Sequence, residues 1–240
     1  MDWDSSHFGL EIVQLSRPPD SRDEGASAIR AAREQGVDCV YCLVAAEDFE
    51  RAWRLEAAGF VARDLRLEFR RRVDPRPLDA APELRPCTGA DVDALADLSA
   101  KVFESTRFAA DPGFPRQRVA SLYDVWLRNS VSGYANAVLV TGAVGTPEGF
   151  VTLHASEHVA RIGLIAVDAS ARGSGLGLRL VHGAMHWAAE HGCSELRVVT
   201  QGNNTAAQRL YQRCGFVTAT AHTWFHAWPS RVHGPLEIQP

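Results

Sequence analysis

The stretch that most limits what this chain can become is ARGSGLGLRL, Ala171 to Leu180, with glycines at 173, 175 and 177. Before it, Leu164, Ile165, Ala166 and Val167 close an apolar run that reads as a strand. After it, an apolar segment to about Glu190, ended by Gly192, reads as a helix. A glycine-rich turn from strand to helix leaves backbone N–H groups unpaired at the positive end of the helix dipole. The turn from Arg172 through Gly173, Ser174, Gly175, Leu176 and Gly177 therefore suits a phosphate or pyrophosphate. Glycine as the ordinary residue of a tight turn is the plainer account of the same letters. The spacing excludes two nucleotide-binding loops. G-x-G-x-x-G requires glycine where Leu178 stands, and Glu195, twenty residues after Gly175, opens a strand instead of ending one. The pattern G-x-x-x-x-G-K-[ST] is absent. The spacing present is R-x-x-G-x-G, at Arg172, Gly175 and Gly177.

A second stretch, NNTAAQRLYQRCGF, runs from Asn203 to Phe216. Asn204, Ala207 and Tyr211 stand at i, i+3 and i+7 and so share one face of a helix about two turns long. Gly215 stops that helix, since glycine accepts the left-handed conformation of a helix end. The face offers a polar anchor at Asn204, room for an extended ligand at Ala207, and a hydroxyl at Tyr211. A core tyrosine packed before a glycine cap uses the same letters, and both readings stand. LEAAGF, Leu55 to Phe60, is a fainter copy of the ending. It reads either as a degenerate internal repeat or as the common look of any helix–glycine–strand corner; two copies exclude a solenoid.

Prolines divide the chain. VDPRPLDAAPELRP, Val73 to Pro86, carries four of them and follows the basic run Arg70 to Arg72. Proline removes backbone donors, so residues 75–82 read as a linker between a small N-terminal domain, 1–74, and a larger one, 83–229, with a loose tail at 230–240. In the first part, Val37 to Ala45 and the alternating Leu65, Leu67 and Phe69 predict strands, and Phe49 to Ala58 predicts a helix closed by Gly59. Trp3 to Gly9 reads as a local turn, capped by Asp4 and Ser5 and clamped by Trp3 and Phe8. In the second part, helices are predicted from about Ala90 to Phe103 and Gln117 to Ser130, around the loop FESTRFAADPGF. Strands are predicted at Ala137–Thr141, Gly149–Ser156, Val159–Val167 and Glu195–Thr200, then two more near Phe216–Thr220 and Thr223–Trp228. The alternation predicts an α/β fold with a mixed sheet.

Charge and cysteine usage narrow the class. With a net charge of -4 the 240 residues carry no basic excess for a nucleic-acid partner. No apolar run approaches the roughly 18–20 residues that span a bilayer, and MDWDSSHFG lacks the features of a secretory leader. The five scattered cysteines predict reduced thiols and a cytoplasmic protein. Cys39 and Cys42 stand three apart on a predicted strand and face opposite ways, which argues against a redox pair. Lys101 is the single lysine, leaving a Schiff-base mechanism without context. No metal is expected, and exposed edge strands near the C-terminus make a homodimer an expectation.

The R-x-x-G-x-G loop, RIGLIAV before it and N-x-x-A-x-x-x-Y after it together resemble the GNAT superfamily of acyl-CoA-dependent N-acyltransferases. The resemblance covers about Leu84 to Trp228. It implies a mixed, partly splayed sheet preceded by a small α/β domain. It also implies acetyl-CoA as co-substrate, with its pyrophosphate on the 172–177 loop and its pantetheine arm along Leu164 to Val167. Further stretches are WDSSHFG at Trp3 to Gly9, ESTRF with Ser105, Arg107 and Phe108, ARIGL at Ala160 to Leu164, and RVVTQGNNTAAQRLY. They are similar to GNAT enzymes that acetylate the amine of a nucleotide-linked deoxysugar.

From that resemblance come expected roles. Tyr211 is the general acid for the departing thiolate, since a phenol near pKa 10 is protonated at neutral pH. Backbone N–H groups near Ala166 hold the oxyanion. His154, Glu157 and His158 supply a candidate base, though a solvated hairpin tip explains them too and bulk water serves an amine of modest pKa. Arg107, Phe108, Asp111 and His154 are the expected acceptor contacts: arginine suits a diphosphate and an aromatic ring stacks on a base or sugar, while loop aromatics also serve simply as anchors. The alternatives are a GNAT enzyme for another amine (an aminoglycoside, a small metabolite or a protein N-terminus) and a non-catalytic acyl-CoA-binding module. The glycine spacing disfavours a dinucleotide-dependent oxidoreductase.

Overall fold

The computed structural model describes residues 2–74, 83–102 and 106–230. Seven α-helices occur among them: α1 (Asp2–Phe8), α2 (Arg22–Glu34), α3 (Phe49–Ala58), α4 (Val92–Val102), α5 (Arg116–Asn129), α6 (Leu176–Glu190) and α7 (Thr205–Arg213). The strands are β1 (Ile12–Gln14), β2 (Cys39–Ala45), β3 (Val61–Arg72), β4 (Arg85–Pro86), β5 (Ala137–Ala143), β6 (Thr146–Ser156), β7 (Val159–Val167), β8 (Glu195–Gln201) and β9 (Val217–Ala227). They form a mixed, open, nine-stranded sheet in the order β1-β2-β9-β3-β8-β7-β6-β5-β4. The fold is therefore α/β with a mixed sheet, as the alternation of elements predicts. The linker at 75–82 and the tail beyond residue 230 lie outside the described residues, as does Ser105.

Three expectations are corrected. The two final strands are one, β9, because ATAHT between them holds no glycine, proline or asparagine to turn the chain. Trp3 to Gly9 is not a turn but helix α1, with Gly9 at φ 66° ending it. Helix α2 and the short strands β1 and β4 have no counterpart in the pattern reading; the residues α2 buries, Gly25 and Ala32, are too small to stand out as an apolar stripe.

Two compact units are present, and each draws on separated stretches of chain. The first takes residues 2–66, 106–119 and 221–230 of the described chain, the second 67–105 (less the undescribed positions) and 120–220. These bounds differ from a cut at 75–82, because β3 and β9 each run through both. In the first unit β2 is paired on both edges, parallel to β1 and antiparallel to β9 from Val40↔Ala227 to Ala45↔His222. Val40, Cys42 and Val44 bury one face of it against Leu55, Phe60, Phe225 and Ala227. Cys39 and Cys42 are buried and joined in no disulfide, and burial pushes Cys42 up to about 12.

In the second unit α6 lays Leu180, Val181, Ala184 and Ala188 on Val151 and Leu153 of β6 and on Ala160 and Ile162 of β7. Burying side chains of this kind contributes about 1.5–3 kcal/mol each. Among the described residues no helix is long and apolar enough to cross a membrane, and no group of three or more His, Cys, Asp or Glu side chains could hold a metal.

One buried carboxylate ties the outer strands of the second unit to α4. Asp91, 0% exposed, accepts two N–H bonds from Arg85 at 2.7 and 2.8 Å, the Thr88 amide and hydroxyl at 2.8 Å each, and the Gly145 amide at 2.9 Å. The Arg85 guanidinium foremost holds its carboxyl far below the usual range. A depressed carboxyl stabilises the fold fully above its unfolded value of about 4 and loses that contribution as pH falls below it. Asp91→Asn is expected to lower stability by about 2–3 kcal/mol at pH 7. In urea unfolding the gap between variant and wild type narrows at pH 3; a gap independent of pH contradicts the assignment.

Candidate functional site

The glycine loop and the strand before it form the centre of the second unit. Asp168 closes β7 with a turn in which its carboxylate accepts the Ser170 amide at 2.8 Å, and Ser174 donates its hydroxyl to the Ala171 carbonyl at 2.7 Å. Gly173 and Gly175 sit at φ 82° and 87°, in the left-handed region, so a side chain at either strains the backbone. Helix α6 then begins at Leu176 with no side-chain cap. Among the described residues, no backbone carbonyl accepts the amides from Gly173 to Leu178; the first amide satisfied is Arg179, by Gly175 at 3.1 Å. Arg172, Gly173, Ser174 and Gly175 are exposed. A row of free N–H groups at a helix start in contact with solvent is an anion site. Gly177 has a packing reason as well: a Cβ there would stand 3.2 Å from Leu210 of α7.

Strand β7 is paired on one side along its length and on the other only at its start. Against β8 it pairs from Val159↔Glu195 to Ile162↔Val198 and no further, although β7 runs to Val167 and β8 to Gln201. The two strands thus part beyond Ile162, as the splayed sheet expected from the resemblance requires. Leu164, Ile165, Ala166 and Val167 all lie in the parted segment. A shift of register accompanies the parting. Val151 of β6 faces Ile165 and Leu153 faces Ile162, so Gly163 and Leu164 together oppose Thr152 alone. The Thr152 hydroxyl, 0% exposed, accepts the Leu164 amide at 2.8 Å.

Helix α7 is fixed at both ends. Asn204 is its N-cap, not its first turn: the side-chain oxygen accepts the Ala207 amide at 3.1 Å. Such a cap contributes about 1 kcal/mol and engages the side-chain oxygen, not the amide nitrogen. Gln208 donates to the Gln201 and Gly202 carbonyls at 3.3 and 2.8 Å, tying the helix to β8. Arg71, at the end of β3, donates to the Cys214 carbonyl at the helix C-terminus. Ala207 is half-buried beside the core. Tyr211 is 2% exposed, with its ring 5.8 Å from those of Phe69 and Phe216. Burial, then Cys214, pushes its phenol above the usual range, and among the described residues its hydroxyl makes no hydrogen bond.

His154 stands two residues along β6 from Thr152, on the same face. A Cβ on Gly163 would meet His154 Nε2 at 2.7 Å and Thr152 Oγ1 at 2.8 Å, so the imidazole covers Gly163 where β7 parts from β8. Tyr134, 77% exposed, meets the His154 ring edge-on at 5.3 Å. Burial holds the imidazole below its ordinary pKa, so it is neutral at pH 7. Glu157 and His158 occupy the exposed hairpin tip instead, with Glu157 at φ 53°.

Arg107, Phe108 and Asp111 belong to the first unit and are spent on one another's surroundings. The Arg107 guanidinium carbon lies 4.4, 4.4 and 4.2 Å from the rings of Tyr41, Phe108 and Trp224, and Nη2 donates to Asp4 at 3.3 Å. Phe108 is 4% exposed, packed on Phe8 and Phe114. Asp111, 1% exposed, accepts His226 Nδ1–H at 2.7 Å, Trp228 Nε1–H at 3.1 Å and the Gly113 amide at 2.9 Å, and pairs with Arg63 at 3.2 Å. Burial pulls the Asp111 carboxyl up, but these donors prevail and hold it low. Burial drives His226 down to about 4, against the pull of Asp111 and with the push of Arg107. His226 is thus neutral, with Nδ1 protonated toward Asp111 and Nε2 turned to Arg107 at 3.5 Å. Buried charges of this kind are held by mutual pairing.

Comparison with known proteins adds to this geometry. The family model described as "Acetyltransferase (GNAT) family" matches residues 96–216, half of the chain. The spore coat polysaccharide biosynthesis protein SpsD of Bacillus subtilis is 25% identical over 200 residues, 81% of this chain and 68% of that one. The dTDP-fucosamine acetyltransferase of Escherichia coli is 32% identical over 139 residues, 57% of this chain and 59% of the enzyme's own length. Among solved structures, a GCN5-related N-acetyltransferase from Sphaerobacter thermophilus superposes with a TM-score of 0.60 at 19% identity, over 83% of this chain and 64% of that one.

The buried group around Asp111 has a measurable consequence. A histidine whose folded pKa is depressed stays neutral while the unfolded chain takes up a proton below about 6.5, so stability falls as pH drops from about 6.5 toward about 4. His226→Gln is expected to flatten the dependence of the urea midpoint on pH in that window. A slope equal to that of the wild type removes His226 as its source.

Proposed function

As the chain belongs to the acetyltransferase (GNAT) family, we propose that it transfers the acetyl group of acetyl-CoA to the amine of a nucleotide-linked amino sugar. One observation carries the reading: β7 and β8 part beyond Ile162, in the same unit as a helix start whose amides have no partner among the described residues. An extended, amide-bearing chain with a diphosphate at one end satisfies both. Its diphosphate meets the amides between Gly173 and Leu178 with Arg172 beside them, and its pantetheine arm takes up the free edge of Leu164 to Val167 as an added strand would.

In this reading a neutral amine attacks the thioester carbonyl carbon, the C–N bond forms and the C–S bond breaks. Charge gathering on the carbonyl oxygen is met by backbone N–H groups on the parted edge of β7. Tyr211 donates a proton to the leaving sulfur. A phenol raised by burial is a poor acid in water, but the thiolate is desolvated in the same place and its own pKa rises with it. His154, neutral beside Gly163, is the side chain of choice to receive the proton the amine gives up or to meet the acceptor. We read Arg107, Phe108 and Asp111 as the scaffold of their own unit rather than as acceptor contacts, because their polar atoms are already engaged.

The nucleotide sugar is drawn from the printed activity of the Escherichia coli relative, and the amino-sugar class accords with the name of the Bacillus subtilis one. Release of free thiol from acetyl-CoA is expected with an amino nucleotide-sugar and not with aminoglycosides or peptides in the same panel. Release with another amine moves the acceptor. Tight acetyl-CoA binding with no release from any amine favours the binding module. Tyr211→Phe is expected to keep acetyl-CoA affinity and to lower turnover by about 10²–10⁴-fold; turnover near that of the wild type takes Tyr211 out of the mechanism.

A further inference from the structure

The bulge between β6 and β7 decides which backbone amides face the parted edge, and a side chain holds it. From Val151 to Leu153 β6 advances two residues, while β7 advances three, from Ile165 back to Ile162. On the β6 side of that mismatch stands Thr152, enclosed at 0% exposure, its hydroxyl accepting the Leu164 amide at 2.8 Å. A backbone carbonyl would fill this place in a regular ladder. The extra residue also turns the strand over. Ala160 and Ile162 pack on the α6 side of the sheet before the bulge, and Ile165 and Val167 do so after it.

Two observations fix the direction of the amides beyond the bulge. The Leu164 N–H is turned toward β6 by Thr152, and the Ala166 carbonyl lies toward β6 as well, 2.9 Å from the place of a Cβ on Gly149. Successive residues of a strand direct their N–H and C=O to opposite edges. The Ile165 and Val167 amides therefore face the other edge, the one β8 leaves after Val198. Among the N–H groups near Ala166, those of its two neighbours are therefore the ones turned to the open edge.

We propose that Thr152 is a positioning residue for acetyl transfer: by holding the Leu164 amide it aims the Ile165 amide at the thioester carbonyl oxygen. The inference rests on the acetyl-CoA reading above. Gly163 belongs to the same device, since any Cβ there would strike the Thr152 hydroxyl and the His154 ring. Thr152 touches no reacting atom. Its effect passes through the phase of the strand, so loss of the hydroxyl lets the register relax and swings Ile165 away from the edge.

The test reads the hydrogen bond itself, with acetyl-CoA labelled at the carbonyl carbon as probe and no acceptor present. In the wild type and in Thr152→Ser the infrared carbonyl band of bound acetyl-CoA is expected to move to lower frequency than in free acetyl-CoA. In Thr152→Val, or in Thr152→Ala should valine not fold, the band is expected to return toward the free position while affinity for acetyl-CoA stays within about threefold, a change of some 0.65 kcal/mol (RT ln 3, with RT about 0.59 kcal/mol). With an active acceptor, turnover falls about tenfold or more, a part of the 10²–10³-fold that losing an oxyanion donor outright costs, and serine restores it. A shifted band in the valine or alanine variant overturns the proposal, as does a serine variant no better than valine. On the unaltered protein, the Ile165 amide proton is expected to move downfield on adding acetyl-CoA and that of Ala166 to stay; the reverse overturns the proposal without any variant. Failure of the wild type to bind acetyl-CoA is a separate result: it overturns the reading beneath, and this inference with it.

Discussion

The parting of β7 from β8 after Ile162 and Val198 is the constraint on which the rest of the second unit depends. Two neighbouring strands in a sheet normally exchange all their backbone hydrogen bonds, because an unpaired N–H or C=O away from water is costly. Here the chain leaves that edge open, then turns through Asp168 to Gly175 into a helix whose opening amides also have no partner among the described residues. The site is thus made mostly of backbone. Side chains act on it from outside: Thr152 on the strand, Ser174 on the loop, Gln208 and Arg71 on the helix that bears Tyr211. This explains why so few charged groups gather here. An acetyl transfer needs direction and a dry surface more than it needs charge.

Much of this was readable in the amino acids. Glycine at 173 and 175 has a local cause, the left-handed backbone, and so its place in a strand-to-helix turn shows in the letters alone. Helix α7 was equally plain from its apolar spacing and Gly215. What periodicity could not decide was the use of Tyr211: a ring between Phe69 and Phe216 and a phenol aimed at a ligand demand the same position on the helix. The bulge was hidden for a different reason. Ala160, Ile162, Leu164 and Ala166 are all buried, so the alternation runs unbroken through the very point where the strand turns over. Burial on both faces of a sheet erases the period that would mark such a change. Only the pairing partners across β6 disclose it.

The Arg107 loop carried two readings in one set of letters. Arginine, an aromatic ring and an aspartate in a polar loop are the chemistry of nucleotide contacts, and they are also the chemistry of a buried ion network. The letters Arg107, Phe108 and Asp111 do not distinguish the two; the partners do. Asp4, Arg63, Tyr41, Trp224, His226 and Trp228 come from the two ends of the chain and from its N-terminal strands. No local pattern links residues so far apart in the sequence.

That spread of partners bears on biosynthesis. A ribosome delivers the chain from its N-terminus, and compact regions usually settle in the order they emerge. Strand β2 is finished early, yet its neighbour along Val40 to Ala45 is residues His222 to Ala227, made only after everything between them. Until then one edge of CVYCLVA, an almost wholly apolar stretch, has no ladder to join. The first unit therefore closes only after residues 67–220 have been made, and a transcript truncated anywhere before Phe225 yields a nascent polypeptide with a sticky, half-built sheet, a natural client for chaperones.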